Sequence, residues 1–187
     1  MKNTLYVKNR KEWRDWLNEN FQTEKEIWLI YPKKSSKKER IAYNDAVEEA
    51  LCYGWIDSTV KSYDEHQYMQ RFTPRNPKST YSQSNKERIQ WLYAQNMLHP
   101  SIKETIISHI IDEEFVFPED IMEVLRKDPV VWENYQQFSA SYKRIRIAYI
   151  DSARTCRDEF NKRLGNFIKN TKHNKLIGGF GGIEKYY

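Results

Sequence analysis

The sequence predicts an α+β protein in which a small antiparallel sheet packs with helices and is followed by an all-helical C-terminal module. Before residue 113, runs of β-branched and aromatic residues alternate with amphipathic segments, whereas only helical periodicity follows. Aromatic residues make up 14% of the 187 residues, which supplies a core although 30% of the chain is charged. We therefore place an α+β domain at residues 1–112 and a helical module at residues 113–187.

The chain is predicted to begin with a helix and a strand. Asn9 is a suitable N-cap, with Glu12 three residues later, and apolar residues at helical spacing then predict a helix over roughly residues 10–21. Residues 26–31 are rich in β-forming residues and end at Pro32, which predicts a strand.

A second helix and a hairpin follow. Apolar spacing predicts a helix over about residues 43–51, with Asn44 or Asp45 at its N-cap. Residues 55–61 and 66–73 read as two strands, and the short polar segment between them predicts an antiparallel hairpin.

Two capping boxes begin the next helices, one from Ser84 to Glu87 and one from Ser101 to Glu104. Six large apolar residues of the N-terminal part are predicted to share one core: Trp13, Trp16, Trp28, Leu51, Ile89 and Leu92.

The C-terminal module is predicted to contain four helices. Pro118 and Pro129 stand where prolines begin helices, Ser139 or Ser141 begins a third, and a fourth follows. The glycine-rich segment at residues 178–182 is predicted to be a flexible tail.

Charge is unevenly distributed along the chain, whose net charge is +5. Residues 139–175 carry ten Lys and Arg against three acids, whereas residues 104–128 carry eight acids against two basic residues. A basic stretch of this kind is typical of nucleic-acid binding, but two neighbouring helices with complementary charged faces give the same pattern. The sequence is compatible with both a nucleic-acid surface and two complementary helices.

Targeting, metal and cofactor signals are weak. The longest apolar run, residues 27–31, is far shorter than the roughly 20 residues that span a bilayer, and no secretory signal is visible. Cys52 and Cys156 stand apart without metal-ligand spacing, so we expect two free, buried thiols. These observations predict a cytoplasmic protein without a membrane span, a metal or a cofactor.

The densest polar stretch suggests an anion site. Loops that precede a helix present backbone N–H groups, and the helix N-terminus is partly positive, so a phosphate or carboxylate fits there. Five polar residues precede or enter the third predicted helix: Arg75, Lys78, Ser79, Ser82 and Asn85. Simple capping with surface ion pairs explains the same residues and is the alternative.

Three strings in this stretch carry a family resemblance: E-E-A-L-C-Y-G-W-I-D at residues 48–57, R-F-T-P-R at residues 71–75 and K-S-T-Y-S at residues 78–82. They resemble the YdeI/OmpD-associated, or bacteriocin-protection, family, and residues 118 to about 175 resemble its helical module. Tyr81 stands where the family has Trp.

The helical module departs from the family at one step. This chain keeps Lys162-Arg163-Leu164, but Glu159-Phe160 stands where similar proteins have Thr-Arg. The resemblance implies a link to protection against bacteriocins or cationic peptides, and it supplies no catalytic residue.

The hairpin is predicted to complete the anion site with four side chains: Trp55, Asp57, Arg71 and Thr73. A hairpin loop one residue longer than residues 62–65 allows two registers; in the favoured one, Asp57 lies directly opposite Arg71, and the two form an ion pair beside the site. Glu48 or Glu49 is a further partner for Arg71 or Arg75.

The leading hypothesis is a non-catalytic protein that binds an anionic small ligand or peptide group. One alternative is an enzyme acting on a small anionic substrate at the same surface, with Cys52 as a nucleophile and His66 as its base, although a Cys on an apolar helix is usually a buried hydrophobe. Another is nucleic-acid binding through the basic residues 139–175.

Overall fold

Eight α-helices and a four-stranded sheet make up the part of the chain that the structure, a computed structural model, describes: residues 3–111 and 113–187. This confirms the α+β class with a helical C-terminal part. The chain divides into a first unit, Met1–Thr80 with Ile89–Ile111, and a second unit, Tyr81–Arg88 with the residues that follow Asp112. Residues 81–88, which the sequence placed in the first domain, thus group with the C-terminal helices.

The first unit is built on one mixed sheet. Its strands are β1 (Thr4–Leu5), β2 (Ile27–Pro32), β3 (Trp55–Ser62) and β4 (Gln67–Pro74), in the spatial order β1-β2-β4-β3. The β3–β4 hairpin is antiparallel as predicted, and β2 pairs antiparallel with β4. The two-residue strand β1, which the sequence did not reveal, runs parallel to β2.

Four helices lie between or after these strands along the chain: α1 (Arg10–Asn20), α2 (Tyr43–Cys52), α3 (Gln83–Ala94) and α4 (Pro100–Ile106). The predicted cap of α1 is confirmed, since the Asn9 side chain accepts a hydrogen bond of 3.0 Å from the Glu12 N–H. No described helix has the length and apolar character needed to cross a membrane.

The predicted N-cap of helix α2 is wrong. Its N-cap is Ala42, and Asn44 and Asp45 lie inside the helix rather than at its cap. The reason is that both side chains have other partners: Asn44 donates to Glu48 at 2.8 Å, and Asp45 accepts from Arg10 at 3.1 Å.

The two predicted capping boxes are also displaced. The Asn85 N–H donates to the Ser82 hydroxyl at 3.3 Å, so α3 begins two residues before the predicted cap would allow, and Ser84 lies inside it. Helix α4 begins at Pro100, and the ring of His99 accepts from the Ser101 N–H at 3.3 Å. Proline at the first position replaces the predicted serine box here.

The second unit contains the four predicted helices: α5 (Glu119–Arg126), α6 (Pro129–Gln137), α7 (Ala140–Asp151) and α8 (Arg157–Lys172). Pro129 follows the N-cap Asp128, and Ser139 caps α7, both as predicted. Pro118 is itself the N-cap of α5 rather than its first residue.

The glycine-rich tail is more structured than predicted. Phe180–Tyr186 form a 3-10 helix, in which Ile183 and Tyr186 are buried. Because two of its apolar side chains are buried, this segment packs as part of the second unit rather than forming a free tail. The Gly179 N–H donates to the Glu184 carboxylate at 2.6 Å.

The predicted core residues are buried with one exception. Trp13, Trp28, Leu51, Ile89 and Leu92 are all buried in the first unit. Trp16 is only half-buried, and its ring stacks on that of Trp13 with 5.2 Å between the ring centres. The second unit has its own apolar cluster, centred on large side chains such as Tyr142 and Phe167.

Candidate anion-binding pocket

The second unit contains a cavity of about 380 Å³ lined by α7, α8, Ser84 of α3, residues 177–179 and Ile183. Helices α7 and α8 run antiparallel across it, because Arg163 contacts Tyr149 near the end of α7, whereas Phe167 contacts Tyr142 near its start. The cavity therefore has two distinguishable ends, one at Arg163 and one at Phe167.

One face of α8 supplies much of the lining. The residues that line the cavity recur at the spacing of a single helix face: Glu159, Lys162, Arg163, Asn166 and Phe167. Three of them are charged and lie in the first turns of α8, so charge is concentrated at one end of the cavity.

Arg163 is held rigidly at this end. Its Nε donates to Glu159 at 2.8 Å, its Nη1 donates to the Tyr149 carbonyl at 2.8 Å, and its guanidinium lies 3.9 Å from the Tyr149 ring centre. These contacts leave Nη2 without a hydrogen bond in the described part of the chain. Arg163 also lowers the pKa of the Glu159 carboxyl by donating a hydrogen bond to it.

Lys162 adds a second cation at the same end. Its side chain is 79% exposed, and its ammonium lies 3.9 Å from the Glu159 carboxylate, so it is loosely held. Two cations against one carboxylate leave this end of the cavity positive.

Arg146 lines the cavity from α7 and is fixed by the C-terminal segment. Its Nη2 donates to the Ile177 carbonyl and to the Tyr187 hydroxyl, and its Nε is buried without a hydrogen-bond partner. The pKa of the Glu184 carboxyl is lowered by the backbone N–H groups of Glu184 and Gly179 and by the charge of Arg146.

The rest of the lining is apolar. Large side chains from both helices and the C-terminal segment contribute to it: Ile145, Ile150, Phe167, Ile177 and Ile183. An apolar wall with a few convergent polar groups is the usual character of a small-molecule site. The arrangement suits a molecule that carries a negative charge at one end.

The residues that the sequence assigned to an anion site lie elsewhere. Trp55, Asp57, Arg71 and Thr73 are on β3 and β4 of the first unit. The indole of Trp55 is buried and donates to the Phe21 carbonyl at 3.1 Å, so Trp55 is a core residue.

The predicted ion pair between Asp57 and Arg71 is wrong. A β-bulge between Asp57 and Val60 shifts the register, so Asp57 lies opposite Phe72 and Arg71 points to the other face of the sheet. Asp57 accepts instead from the Tyr43 hydroxyl at 2.7 Å. The Arg71 guanidinium forms an ion pair of 2.6 Å with Glu26, the residue before β2.

The turn after β4 organises the next predicted residues. The Arg75 guanidinium donates to the carbonyls of Asn76 and Ser79, and the Lys78 N–H donates to the Asn76 side chain at 2.9 Å. These contacts are those of a self-supporting turn in the first unit. The anion site there stays a prediction.

Ser82 and Asn85 belong to the second unit, whereas the other residues predicted for the anion site belong to the first unit. The Ser82 hydroxyl serves as the cap of α3. The Asn85 side chain accepts from Arg88 at 3.0 Å. These contacts match the capping alternative that the sequence left open.

The acidic pair of α2 has partners other than those predicted. Glu48 and Glu49 are buried, and both bind Arg10, at 2.5 and 2.6 Å. Glu49 also binds Arg14 at 2.7 Å. Cations of α1 therefore neutralise both carboxylates.

Two cations of the basic stretch at residues 139–175 pair with acids of the segment that precedes it. Arg154 binds Asp120 at 2.8 Å, and Lys172 binds Asp128 at 2.7 Å. These pairs support complementary helices in the second unit, the alternative to a nucleic-acid surface.

The two cysteines are in different environments. Cys52 is buried, and burial, followed by the charge of Glu49, raises the pKa of its thiol to about 12. A nucleophilic thiolate at Cys52 is therefore disfavoured. Cys156 is exposed, which corrects the expectation of two buried thiols. No cluster of metal-ligating side chains occurs among the residues that the structure describes.

We expect one thiol per folded chain to react with Ellman's reagent at about pH 8, because only the Cys156 side chain is accessible. A Cys156→Ser variant is expected to show no reactive thiol until denaturant is added. Rapid labelling of that variant in its folded state would contradict the burial of Cys52.

Sequence reasoning did not assign Arg146, Lys162 or Arg163 to a site. It noted that the Lys162-Arg163-Leu164 step is retained, which was the available signal. The only sequence signal for Arg146 is that it precedes Tyr149 and Ile150 by three and four residues on one predicted helix. Nothing in the sequence indicates that the C-terminal segment closes the cavity.

Two family models match the chain. Residues 5–105 match the family described as Domain of unknown function (DUF8412), and residues 114–174 match the family described as Bacteriocin-protection, YdeI or OmpD-Associated. The suspected resemblance is thereby confirmed, in the helical part, whereas the strings at residues 48–82 lie in the other match. Searches of curated proteins and of solved structures give no match.

Proposed function

We propose that this chain, which belongs to the family described as Domain of unknown function (DUF8412), binds the anionic group of a small ligand or peptide in the pocket between α7 and α8. The observation that carries this proposal is that two cations, Lys162 and Arg163, lie together at one end of a cavity whose remaining lining is mainly apolar. A bound anion there replaces water around the cations and gains charge-assisted hydrogen bonds.

The pocket lies largely in the segment that matches the bacteriocin-protection family model, since α7 and α8 fall almost entirely within residues 114–174. We therefore connect any protective role to ligand binding in the helical module. Arg163 is pre-oriented by Glu159 and Tyr149, so it loses little side-chain entropy when an anion arrives.

Removing the cations is expected to weaken binding of an apolar anion. Using the fluorescence of anilinonaphthalene sulfonate as the probe, we expect Arg163→Gln to raise the dissociation constant about tenfold, because one charge-assisted bond is lost. Lys162→Gln is expected to raise it about threefold, because that ammonium is exposed.

Lys169→Gln is the matched control, because Lys169 lies exposed on the same helix and outside the lining. It makes the same charge change and is expected to leave the dissociation constant within about twofold. Equal affinities of the wild type, Lys162→Gln and Arg163→Gln would place the probe elsewhere and refute the proposed site.

A further inference from the structure

We infer that the pocket holds a second anionic group at Arg146, so that its ligand is an elongated small molecule with an anionic group at each end and an apolar middle. This inference rests on the proposed function above, which places one anionic group beside Lys162 and Arg163. It is carried by three observations: the separation of the two arginines along α7, the unpaired donors of Arg146, and the net charge of the lining.

The two arginines contact opposite ends of α7. The guanidinium of Arg163 donates to the Tyr149 carbonyl at 2.8 Å and to the Ser152 hydroxyl at 3.2 Å, at the C-terminal end of the helix. The guanidinium of Arg146 lies 5.5 Å from the ring centre of Tyr142, in the first turn. Because Tyr142 precedes Tyr149 by seven residues, these contact points are about 10 Å apart along the helix axis. The lining therefore carries cations at two places about two helical turns apart.

Arg146 has donors that the described part of the chain leaves unpaired. Both of its hydrogen bonds there, to the Ile177 carbonyl and the Tyr187 hydroxyl, come from Nη2. Its Nε is buried without a hydrogen-bond partner, and its Nη1 has no acceptor among the described residues. An unpaired buried donor is unfavourable, and a hydrogen bond from an arginine to an anion is strong. An anionic group beside Arg146 in the cavity supplies an acceptor that these residues do not.

The charge of the lining matches two anionic groups. Three cations line the cavity together with the carboxylate of Glu159, so two positive charges remain in excess; the cations are Arg146, Lys162 and Arg163. Glu184 is not part of the lining, and its carboxylate accepts from a backbone N–H of its own segment at 2.6 Å rather than forming an ion pair with Arg146. A dianion balances the excess, whereas a monoanion leaves one positive charge beside apolar side chains.

Apolar side chains line the space that joins the two cationic places. Ile145 lies on α7 between Tyr142 and Tyr149, and Phe167 and Ile183 line the cavity from α8 and the C-terminal segment. An alkyl chain gains free energy by contact with such side chains. Since three bonds of an extended chain span about 3.6 Å, the seven carbon–carbon bonds of octanedioate place its two carboxyl carbons about 8 Å apart. A chain of this length suits cations that are two helical turns apart, and the cavity of about 380 Å³ has room for it.

Calorimetric titration with three ligands of the same chain length tests the inference. Octanedioate carries an anion at both ends, its monomethyl ester carries one anion, and ω-amino-octanoate carries an anion and a cation. Octanedioate is expected to bind about tenfold more tightly than the ester, because its second carboxylate accepts a charge-assisted hydrogen bond from Arg146. The amino acid is expected to bind at least tenfold more weakly than the ester, because its ammonium faces a cation.

Chain length locates the two anionic groups. Butanedioate, hexanedioate, octanedioate and decanedioate are each compared with their own monomethyl ester. The advantage of the dianion is expected to be largest for octanedioate and no more than about twofold for butanedioate, because a chain that cannot span two sites gains nothing from the second one. An advantage that is largest for butanedioate would place both carboxylates beside Lys162 and Arg163 and would overturn the inference.

Variants of Arg146 identify the second cation. Arg146→Gln is expected to lower the affinity for octanedioate about tenfold, so that the dianion and its ester bind alike, whereas Arg146→Lys keeps the charge and is expected to retain part of the advantage. A general loosening of the pocket weakens both ligands together, so the ratio of the two affinities reports on the anion contact. Lys143→Gln is the matched control, because Lys143 lies on the same helix outside the lining, and it is expected to leave this ratio unchanged.

The outcomes separate this inference from the proposed function. Equal affinities of octanedioate and its ester, both weakened by Arg163→Gln, would leave the first anion site standing and overturn the second. A full dianion advantage in Arg146→Gln would overturn the assignment to Arg146. Failure of all these ligands and of anilinonaphthalene sulfonate to bind would refute both proposals. If Arg146→Gln does not fold, the comparison of ligands and chain lengths on the wild type decides the question, since it needs no variant.

Discussion

Replacing Arg10 by methionine is expected to lower the free energy of unfolding by about 3–5 kcal/mol, because it removes the cation that two buried carboxylates share. Glu48 has no exposed side-chain surface, and its carboxylate lies 2.5 Å from the guanidinium of Arg10. Glu49, whose side chain is 2% exposed, lies 2.6 Å from the same guanidinium. Consecutive helical residues usually point in different directions, yet both carboxylates contact this one guanidinium in the first unit.

The neighbouring contacts show how strongly Arg10 is bound. Burial acts to lower the pKa of Arg10, but its hydrogen bonds with Glu48 and Glu49 outweigh that effect and raise the pKa. Arg14 reaches Glu49 at 2.7 Å and is also held by the Met97 carbonyl at 2.7 Å. Glu48 therefore loses its strongest partner in the variant.

Urea denaturation followed by tryptophan fluorescence measures this loss. The matched control is Lys11→Met, because Lys11 is 84% exposed and pairs only with exposed Asp15, so its loss is expected to cost no more than about 1 kcal/mol. A double variant, Arg10→Met with Glu48→Gln, is expected to recover part of the stability, since one buried charge is removed. Equal stability of Arg10→Met and Lys11→Met would contradict the account.

Local patterns of sequence were sufficient to predict most elements of the fold. The N-cap Asn9, the hairpin of β3 and β4, and the helix that begins at Pro129 all follow from signals within a few residues. Such signals reflect interactions of the chain with itself over one turn, which is the range that periodicity and capping rules describe.

Features that depend on distant partners could not be predicted. The register of β3 depends on a bulge between Asp57 and Val60, which no local rule of turn length reveals, and one residue of shift moves a side chain to the other face of the sheet. Strand β1 is only two residues long and is defined by its pairing with β2.

The candidate pocket is a second case of the same limit. The charged face of α8 can be read from the spacing of Glu159, Lys162 and Arg163, but the same spacing describes an ordinary solvated helix. The antiparallel contact with Tyr149 and the buried Ile183 turn that face into one wall of a cavity.

Trp13 and Trp16 provide the second large expected effect, because they lie on one helix and differ mainly in burial. Sequence spacing placed both in the core. Trp13 is fully buried, its indole donates to the Ala46 carbonyl at 3.0 Å, and its ring packs against Phe72 at 5.4 Å. Trp13→Ala is therefore expected to cost about 3–5 kcal/mol, as the loss of a buried aromatic side chain creates a cavity and removes a buried hydrogen bond.

Trp16→Ala is expected to cost only about 1–2 kcal/mol, because Trp16 is half-buried and solvent replaces part of its surroundings. Its contacts are the stacked ring of Trp13 at 5.2 Å and the edge of Trp55 at 5.8 Å. Thermal and urea unfolding of both variants under one condition measure the difference. A larger loss for Trp16→Ala than for Trp13→Ala would mean that the core of the first unit is centred on the outer ring, contrary to the burial described above.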